Sequence, residues 1–442
     1  MSTVKEAAPK LYAYRFVILT LVSLMNAFIQ FSVLIVPGVA KALITQYGFE
    51  PTSFTIIATM PYLTGFVFGI LAGAWADKSS IRLVLIVGTA IAFVGALIRP
   101  FATTVEFLAI ASFLLGFGMA ALNATSAKIM RLWFPSKSTS IAMGIYVAAA
   151  TVGAAIGIGI GPVIPSVELA FQISAGLMAV SLLIWIILAR KHPDGETVAA
   201  AGGKSESFIS HLKVVLKCRN AWLISFCMFF LYGCTISIQT FAVMGYTDLT
   251  GSAAGAGALS AFNTILMGVG GILMPIFISR MKSLKPIFVA SAVLNACVLI
   301  AILRIGFGPW TYIIIAFEGL LYGVLIPLGK TLPALVRDIK LSHIGAAGGM
   351  QSTMQNLGAF LVPSFVVAPI CTMMAGGDAS VLPLLVFAGA GISSIVCGLC
   401  VLLIPETGTS VAARLKREAE DAAAAAAVAP AAAPAAAASA AE

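Results

Sequence analysis

Two charged side chains, Glu318 and Lys330, stand within long apolar stretches of the chain. A charge at the centre of a membrane helix costs about 3 kcal/mol or more, so such residues are usually functional. Glu318 either carries a proton or pairs with Arg304 or Arg99. Lys330 either attracts an anionic solute or extends its ammonium group to the cytoplasmic face. Twelve residues apart on one helix, the two charges differ in direction by about 120°, so we expect no ion pair between them.

Uncharged polar residues form stripes in several other apolar stretches. Two stripes share the spacing i, i+3, i+7, which places each set on one helix face: Ser23, Asn26 and Gln30, and Tyr232, Thr235 and Gln239. Four further candidates of the same kind are Asn123, Tyr146, Gln351 and Gln355. Such groups either bond to neighbouring helices or line a wet cavity. Pro327 and Pro333 break the helix near Lys330 and free carbonyls that must find partners.

The patterns of known catalytic and metal sites do not occur. We place His192, His211 and His343 at the cytoplasmic side, away from any nucleophile or set of metal ligands. The stretch GVLIPLGKT at 323–331 differs from a phosphate-binding loop because five residues, rather than four, separate its glycines. The sequence therefore predicts neither an enzyme nor a bound cofactor or metal.

The elements that position these residues follow from composition. Only 10% of the 442 residues are charged, 60% are hydrophobic and the mean hydropathy is +1.05, whereas a soluble domain carries about 25% charged residues. A membrane crossing takes about 20 apolar helical residues. Twelve stretches qualify, and we number them as spans 1 to 12: 16–40, 51–76, 83–98, 107–127, 138–167, 169–189, 220–247, 249–279, 286–303, 305–329, 344–377 and 379–405. The chain is predicted to be an all-α membrane protein.

Basic residues predict the orientation of these spans. With a cytoplasmic N-terminus, nearly all basic residues fall in cytoplasmic loops, and only Lys41, Arg99 and Arg304 face outward. This is the positive-inside pattern. Because the net charge of +9 is distributed by loop rather than gathered on one face, we expect no nucleic-acid partner. We expect a monomeric, multi-pass protein of a bacterial inner membrane, surrounded by lipid, with both termini cytoplasmic.

The longest polar connection divides the spans six and six. We expect a cytoplasmic N-terminal segment at 1–13, a six-helix bundle at 14–189, and a cytoplasmic linker with an amphipathic helix at 190–219. A second six-helix bundle follows at 220–405, and then a disordered Ala/Pro-rich cytoplasmic tail at 406–442. Weak self-similarity between the halves predicts a duplication; for example, Gly157 and Pro162 match Gly358 and Pro363 at a shift of 201 residues.

Three stretches resemble signatures of the major facilitator superfamily of transporters. GAWADKSSIRL at 73–83 carries Gly73, Asp77, Lys78 and Arg82 between spans 2 and 3, with Ser80 where the family has a glycine. MRLWFPSKSTSIAMGIY at 130–146 resembles the Trp-Phe-Pro junction of anion and carboxylate branches, and GAAIGIGIGP at 153–162 resembles the glycine-rich motif of proton-coupled exporters. The resemblance covers about residues 14–405 and implies two six-helix bundles related by a pseudo-two-fold axis.

The same resemblance implies roles for motif residues. It places spans 1, 4, 7 and 10 around a central cavity, and so favours substrate contact for the polar stripes. It makes Asp77, which we expect at the start of span 3 as a helix cap, a latch between the halves. Glycines spaced four apart in span 5 leave one helix face without side chains, so a neighbouring helix approaches closely. The gating candidates are Gly73, Asp77, Lys78, Arg82, Arg131, Gly157, Gly161 and Pro162.

These features favour a secondary transporter that moves a small organic anion by alternating access, with protons as a second candidate partner. Known oxalate/formate, monocarboxylate and nitrate carriers place arginines in span 8 or in spans 2 and 8, whereas this chain has none at those depths. The substrate therefore does not follow from the family. One alternative is a proton-driven exporter of drugs or other amphipathic compounds, and another is a sensor that binds solute without transporting it.

Overall fold

The computed structural model describes residues 13–190, 208–278, 283–302, 304, 306–336, 338–340, 343–376, 378, 381–405, 414–416 and 419, and all structural statements refer to these. The described part is helical, and twelve of its helices are long and apolar enough to cross a membrane. This confirms the predicted fold class. The segment 1–12, most of the linker and most of the tail lie outside the described residues.

The twelve spans begin and end close to the predicted positions. Their bounds are Arg15–Gly38, Pro51–Lys78, Ile81–Ile98, Val105–Trp133, Ser136–Ile160, Val167–Leu188, Arg219–Thr250, Ala253–Ile278, Lys285–Ile302, Pro309–Leu335, Ile344–Leu361 and Leu382–Leu402. Span 11 continues through a π-helical segment, Val362–Val367, into the helix Ala368–Ala375. Two short helices, Ala40–Tyr47 and Phe208–Val215, lie outside the spans. The second of these is the helix predicted in the linker.

The two halves repeat one packing arrangement. In the N-terminal half, span 5 crosses span 1 so closely that a Cβ at Gly157 would lie 2.6 Å from the Phe31 carbonyl oxygen. In the C-terminal half, span 11 crosses span 7 in the same way, and a Cβ at Gly358 would lie 2.1 Å from the Phe229 carbonyl oxygen. The sequence match between Gly157 and Gly358 thus corresponds to equivalent places in the fold.

The glycine face of span 5 packs on span 1, as predicted. Cβ atoms at Gly153 and Gly161 would lie 2.0 Å from the Ala27 carbonyl oxygen and 2.6 Å from the Gly38 Cα atom. Any side chain at these positions would push the two helices apart, so only glycine allows the crossing. Pro162 lies in a 3-10 turn, Gly161–Val163, that ends span 5.

The halves meet at the end of the molecule remote from the linker, which we call the far end. Spans 2 and 11 are joined there by a hydrogen bond of 2.7 Å between the hydroxyls of Thr59 and Ser364. Phe54 of span 2 packs edge-on against Phe241 of span 7, with ring centroids 6.4 Å apart. These contacts join the two halves at the far end.

At the opposite, linker end the halves separate. Gly65 of span 2 still contacts the side chain of Asn356 in span 11, but no described atom lies within 4 Å of a Cβ placed one turn later, at Gly69. The same change occurs on span 5, where Thr151 contacts span 8 and Gly144, on the same face two turns nearer the linker end, has no such neighbour. Among the described residues, the two halves are therefore in contact at the far end and separated at the linker end.

Two local expectations are wrong. Asp77 belongs to the last turn of span 2, and the residue that caps span 3 is Ser80, whose side chain accepts from the Leu83 amide. The helix of span 10 is not broken at its prolines and runs on to Leu335. Within the predicted tail, Arg414 is buried and donates to two backbone carbonyls near the end of span 10. The rest of the tail lies almost entirely outside the described residues, so its disorder stays a prediction.

Candidate functional site

Lys330 lies in span 10 and is exposed. Its Nζ atom lies 5.8 Å from the centre of the Tyr232 ring in span 7, a cation–π distance. Tyr232 comes from the predicted polar stripe of span 7. Because the ring faces the ammonium group across a gap between two helices, the lysine extends into the interior of the bundle rather than into lipid.

Two residues continue this polar region toward the far end. Tyr62 of span 2 is buried and close enough to Tyr232 to interact with it electrostatically. Tyr62 and Gln239 line a small cavity of about 10 Å³ between spans 1, 2 and 7, with Val33, Leu34 and Ile236 among its apolar walls. We call Tyr62, Tyr232, Gln239 and Lys330 the central cluster. It joins residues of both halves directly below the contacts at the far end.

Gln351 of span 11 contacts the turn of span 10 that carries Lys330. It is only 4% exposed, and its Nε2 atom donates a hydrogen bond of 2.7 Å to the Gly329 carbonyl oxygen. The Gln351 amide therefore contacts the backbone beside Lys330, and its role in substrate binding stays a prediction. Gln355, one turn further along span 11, is half-buried.

The stripe of span 1 is divided between packing and the interior. Asn26 is buried, and its Nδ2 atom donates to the backbone carbonyl of Tyr146 in span 5 at 3.2 Å. Asn26 and Tyr146 were both predicted to contact substrate, and this hydrogen bond joins them where spans 1 and 5 cross. Gln30 lies one turn nearer the far end and is half-buried. It precedes Val33, which lines the small cavity, by three residues.

Asn123 of span 4 is exposed on the interior side of its helix. The lipid-facing side of span 4 is marked by the exposed side chains of Phe107 and Ile110. Asn123 follows Ile110 by thirteen residues, a rotation of about 220°, so it points nearly opposite to the lipid. Its exposure therefore reflects the open space at the linker end.

Glu318 lies apart from the central cluster, inside the C-terminal half. It is 1% exposed, and one carboxylate oxygen accepts a hydrogen bond from Asn263 of span 8. The other oxygen, Oε1, is buried and has no hydrogen-bond partner in the described structure. Tyr246 and Tyr322 lie close enough to interact electrostatically with the carboxyl group. Lys330 lies twelve residues further along the same helix, in the central cluster.

The alternative partners predicted for Glu318 are elsewhere. Arg99 is buried in the N-terminal half, where it donates to the Ser32 carbonyl oxygen at 2.6 Å and the Ser112 hydroxyl at 2.9 Å. Its guanidinium also lies 5.7 Å from the centre of the Phe171 ring. Arg304 is exposed beyond the end of span 9. No described hydrogen bond joins either arginine to Glu318. Arg99 instead links spans 1, 3, 4 and 6.

The predicted gating residues take several positions. Arg82 donates to the Ile186 carbonyl oxygen at 2.7 Å, which ties span 3 to the last turn of span 6 within one half. Arg131 is exposed, and Gly73 has open space beside it. The side chains of Asp77 and Lys78 lie outside the described part of the structure, so the latch stays a prediction.

Sequence reasoning missed Tyr62, Asn263 and the hydroxyl pair at the far end. A signal for two of them was present: Thr55, Thr59 and Tyr62 fall on one face of span 2 at the spacing i, i+4, i+7, and Asn263 follows Ser260 by three residues in span 8. Extending the search for polar stripes to spans 2 and 8 would have found Tyr62 and Asn263. Nothing in the sequence alone would have paired Thr59 with Ser364, because the two lie in different halves.

Histidine and cysteine side chains form no candidate metal site. In the described residues, no group of three or more His, Cys, Asp or Glu side chains is placed to hold a metal ion. His211 of the linker helix and His343 at the start of span 11 approach with their Nδ1 atoms 2.5 Å apart. This contact joins the linker to the C-terminal half.

Comparison with known proteins identifies the architecture. The family model described as Major Facilitator Superfamily matches residues 16–363. The probable nitrate/nitrite antiporter NarK1 of Thermus thermophilus is 26% identical over 376 residues, which cover 76% of this chain and 80% of that protein.

Two solved structures share the fold. The nucleoside transporter NupG has a TM-score of 0.69 at 15% identity, covering 87% of this chain and 98% of that one. A bacterial homolog of the human lysosomal transporter Spinster, inward-facing and unoccupied, has a TM-score of 0.66 at 14% identity, covering 92% and 98%. The chain therefore belongs to the Major Facilitator Superfamily and is a multi-pass membrane protein of the secondary-transporter type, not an enzyme.

Proposed function

We propose that this chain carries a small organic anion across a bacterial inner membrane by alternating access, with a proton as the coupling ion. The linker end faces the cytoplasm in this proposal, because basic residues concentrate there. The open linker end then corresponds to an inward-open state, from which the far end opens as the halves rock.

The observation that carries the anion proposal is the exposed ammonium of Lys330 in the central cluster. A cation among the helices of a membrane protein attracts a negatively charged partner, because charges at that depth are costly and are usually paired. The phenol groups of Tyr62 and Tyr232 and the amide of Gln239 supply further hydrogen bonds for a carboxylate. A single cation suits a solute with one negative charge.

The relative from Thermus thermophilus is named for transport of nitrate and nitrite, which are also small monovalent anions. Spans 2 and 8 of this chain have no arginine at mid-depth, and a planar bidentate guanidinium is the group best suited to planar oxyanions. The central cluster therefore favours a carboxylate over nitrate. Both solutes belong in the same assay.

The proton proposal rests on the burial of Glu318 and on its incomplete hydrogen bonding. A carboxyl group with one donor and one unsatisfied oxygen is costly to keep ionised, and it gains or loses a proton when its surroundings change. Span 8, which supplies Asn263, contacts the N-terminal half through span 5. Rocking of the halves therefore has a direct mechanical connection to the partner of Glu318.

A specific feature also favours the exporter alternative: the walls of the small cavity are largely apolar and aromatic. An amphipathic cation would stack on Tyr62 and Tyr232. However, the ammonium of Lys330 would repel such a cation. The exporter therefore requires Lys330 to stay away from the solute, and a solute sensor requires binding without exchange.

Counterflow in proteoliposomes tests the anion proposal. Purified protein is reconstituted into proteoliposomes, and these are loaded with unlabelled monocarboxylate, nitrate, nitrite or tetraphenylphosphonium. Entry of the same compound in labelled form is then measured. We expect exchange of a monocarboxylate and an increase of about ten- to a hundredfold in KM for Lys330→Gln, because a charge-assisted hydrogen bond is lost. Lys330→Arg retains the charge and most of the affinity.

Lys340→Gln is the matched control, because Lys340 is exposed at the linker end, remote from the central cluster. Its uptake should equal that of the wild type. Unchanged carboxylate kinetics in Lys330→Gln would refute the anion proposal. Saturable binding with no exchange of label would favour a sensor, and exchange of the phosphonium alone would favour the exporter.

Net flux measured across a range of external pH tests the proton proposal. We expect Glu318→Gln to remove the pH dependence of net flux while substrate exchange continues, because exchange needs no change in protonation. Glu106→Gln, at an exposed position in the first turn of span 4, should behave as the wild type does. A pH dependence that persists in Glu318→Gln would show that another group carries the proton.

A further inference from the structure

The turn that carries Lys330 is held by an unusual backbone contact. In a regular helix the carbonyl of residue i accepts from the amide N–H of residue i+4. Residue i+4 of Gly329 is Pro333, which has no N–H. The helix nevertheless continues through Pro333 to Leu335, so the Gly329 carbonyl oxygen lacks its ordinary donor.

Gln351 supplies the missing donor from span 11. Its Nε2 atom lies 2.7 Å from the Gly329 oxygen, and its side chain is 4% exposed. A buried carbonyl without a partner costs about 1–3 kcal/mol, so this side-chain amide stabilises a turn that Pro333 would otherwise leave under-bonded. The bond also fixes the position of span 10 relative to span 11 at the level of Lys330.

The other side of the turn is fixed by span 7. Gly329 has no side chain, and the space that a Cβ would take is filled by the Met228 sulfur, 2.4 Å from that position. Tyr232 follows Met228 by one helical turn and faces Lys330. The backbone at 329–330 is thus held between Gln351 on span 11 and Met228 on span 7.

We propose that Gln351 is a positioning residue for substrate binding: its amide replaces the hydrogen bond lost at Pro333 and so aims Lys330 at Tyr232 and the solute. Gln351 itself does not bind the solute. This inference rests on the proposed role of Lys330 in binding an anion. Pro333 and Gln351 then act as a pair: the proline removes the donor of the Gly329 carbonyl oxygen, and the glutamine supplies another.

A double substitution tests the pairing. Gln351→Met keeps the length of the side chain and removes the donor, and Pro333→Ala restores an N–H that can reach the Gly329 carbonyl within the helix. We expect Gln351→Met to raise the KM for the exchanged monocarboxylate by about three- to tenfold, with kcat unchanged. The double variant Gln351→Met with Pro333→Ala should return KM to the wild-type value.

The other proline of span 10 provides the matched control. Pro327 removes the donor of Gly323, not of Gly329, so Pro327→Ala should leave the Gln351→Met defect as it is. Rescue by both prolines alike would indicate a general effect of helix regularity and would overturn the inference. A KM for Gln351→Met equal to that of the wild type would overturn it as well.

A readout without substrate separates this inference from the proposed function. Hydrogen–deuterium exchange in the peptide covering 328–336 should be faster in Gln351→Met and should return to the wild-type rate in the double variant with Pro333→Ala. If exchange follows this pattern while Lys330→Gln transports normally, the role of Lys330 is refuted and the Gln351 contact stands. If Gln351→Met does not fold, recovery of folded protein by Pro333→Ala but not by Pro327→Ala supports the pairing, and recovery by neither refutes it.

Discussion

The crossing of spans 1 and 5 allows a graded test of packing. A Cβ at position 157 would lie 2.6 Å from the Phe31 carbonyl oxygen, and ordinary contacts begin at 3.4 Å, so Gly157→Ala must separate the backbones by about 0.8 Å. Overpacking of this kind costs about 1–3 kcal/mol. Replacing a helical glycine by alanine gains about 0.5–1 kcal/mol. The net effect of Gly157→Ala is therefore a loss of about 1–2 kcal/mol.

Two other glycines of the same helix calibrate the result. Gly153→Ala meets the Ala27 carbonyl oxygen at 2.0 Å and should lose more, whereas Gly144 has open space and Gly144→Ala should gain stability. At about 2 °C per kcal/mol for a large domain, Gly157→Ala lowers the melting temperature by about 2–4 °C and Gly144→Ala raises it by about 1–2 °C.

Thermal unfolding of the detergent-purified variants, followed by the loss of the monodisperse size-exclusion peak, measures this order. Each variant is heated in parallel with the wild type under one detergent and one lipid content, so that only the helix crossing differs. If the three alanine variants melt at the same temperature, the close backbone contact does not determine stability and the reasoning fails. An inverted order, with Gly144→Ala the least stable, would contradict it equally.

Three further outcomes follow from the geometry. A disulfide between Thr59→Cys and Ser364→Cys should lock the far end and stop exchange until a reductant is added; exchange in the oxidised protein would contradict closure at this end. Arg99→Lys, which keeps the charge but not the two hydrogen bonds, should lower stability by about 2 kcal/mol in thermal unfolding, and an unchanged melting temperature would refute the tie. Asn123→Cys should react with a membrane-impermeant thiol reagent added at the linker end and be protected by substrate, whereas lipid-facing Ile110→Cys should not react; equal labelling would contradict the interior position of Asn123.

The number and type of the elements were predictable because lipid imposes a strong rule on the chain. An unbroken apolar run of about 20 residues has to be helical in a bilayer, since the backbone finds no partner in the hydrocarbon. The ends of the runs were less predictable, because polar residues within reach of the interface do not stop a helix. Asp77 illustrates this: its charge suggested a loop, but the helix of span 2 continues through it and ends only before Ser79 and Ser80.

Candidate side chains in the spans were found from sequence, but not their partners. Lys330 was identified as an isolated charge and Tyr232 as a member of a polar stripe, and the contact between them depends on how spans 7 and 10 are rotated about their axes. Gln351 and Gln355 have the same chemistry and lie four residues apart, yet Gln351 bonds to a backbone carbonyl. That difference arises from Pro333 on another helix, so it could be inferred only by counting back four residues from the proline and asking which donor replaces the lost one.

Equivalent helix pairs in the two halves differ in the charged groups that they carry. In the N-terminal half the Thr64 hydroxyl of span 2 donates to the Phe113 carbonyl of span 4 at 2.6 Å. In the C-terminal half the Asn263 amide of span 8 donates to the Ile315 carbonyl of span 10 at 3.2 Å. Three residues after each acceptor stand Gly116 in one half and Glu318 in the other.

The two halves thus share one helix crossing, but only the C-terminal half adds a carboxyl group to it and, on the same helix, an ammonium group. The N-terminal half contributes Tyr62, an uncharged surface against which the charged half can move. A movement of one half relative to the other would change the surroundings of Lys330 and Glu318 together, because both residues belong to span 10. If the chain couples an anion to a proton as proposed, that coupling needs no contact between Lys330 and Glu318, because one helix carries both.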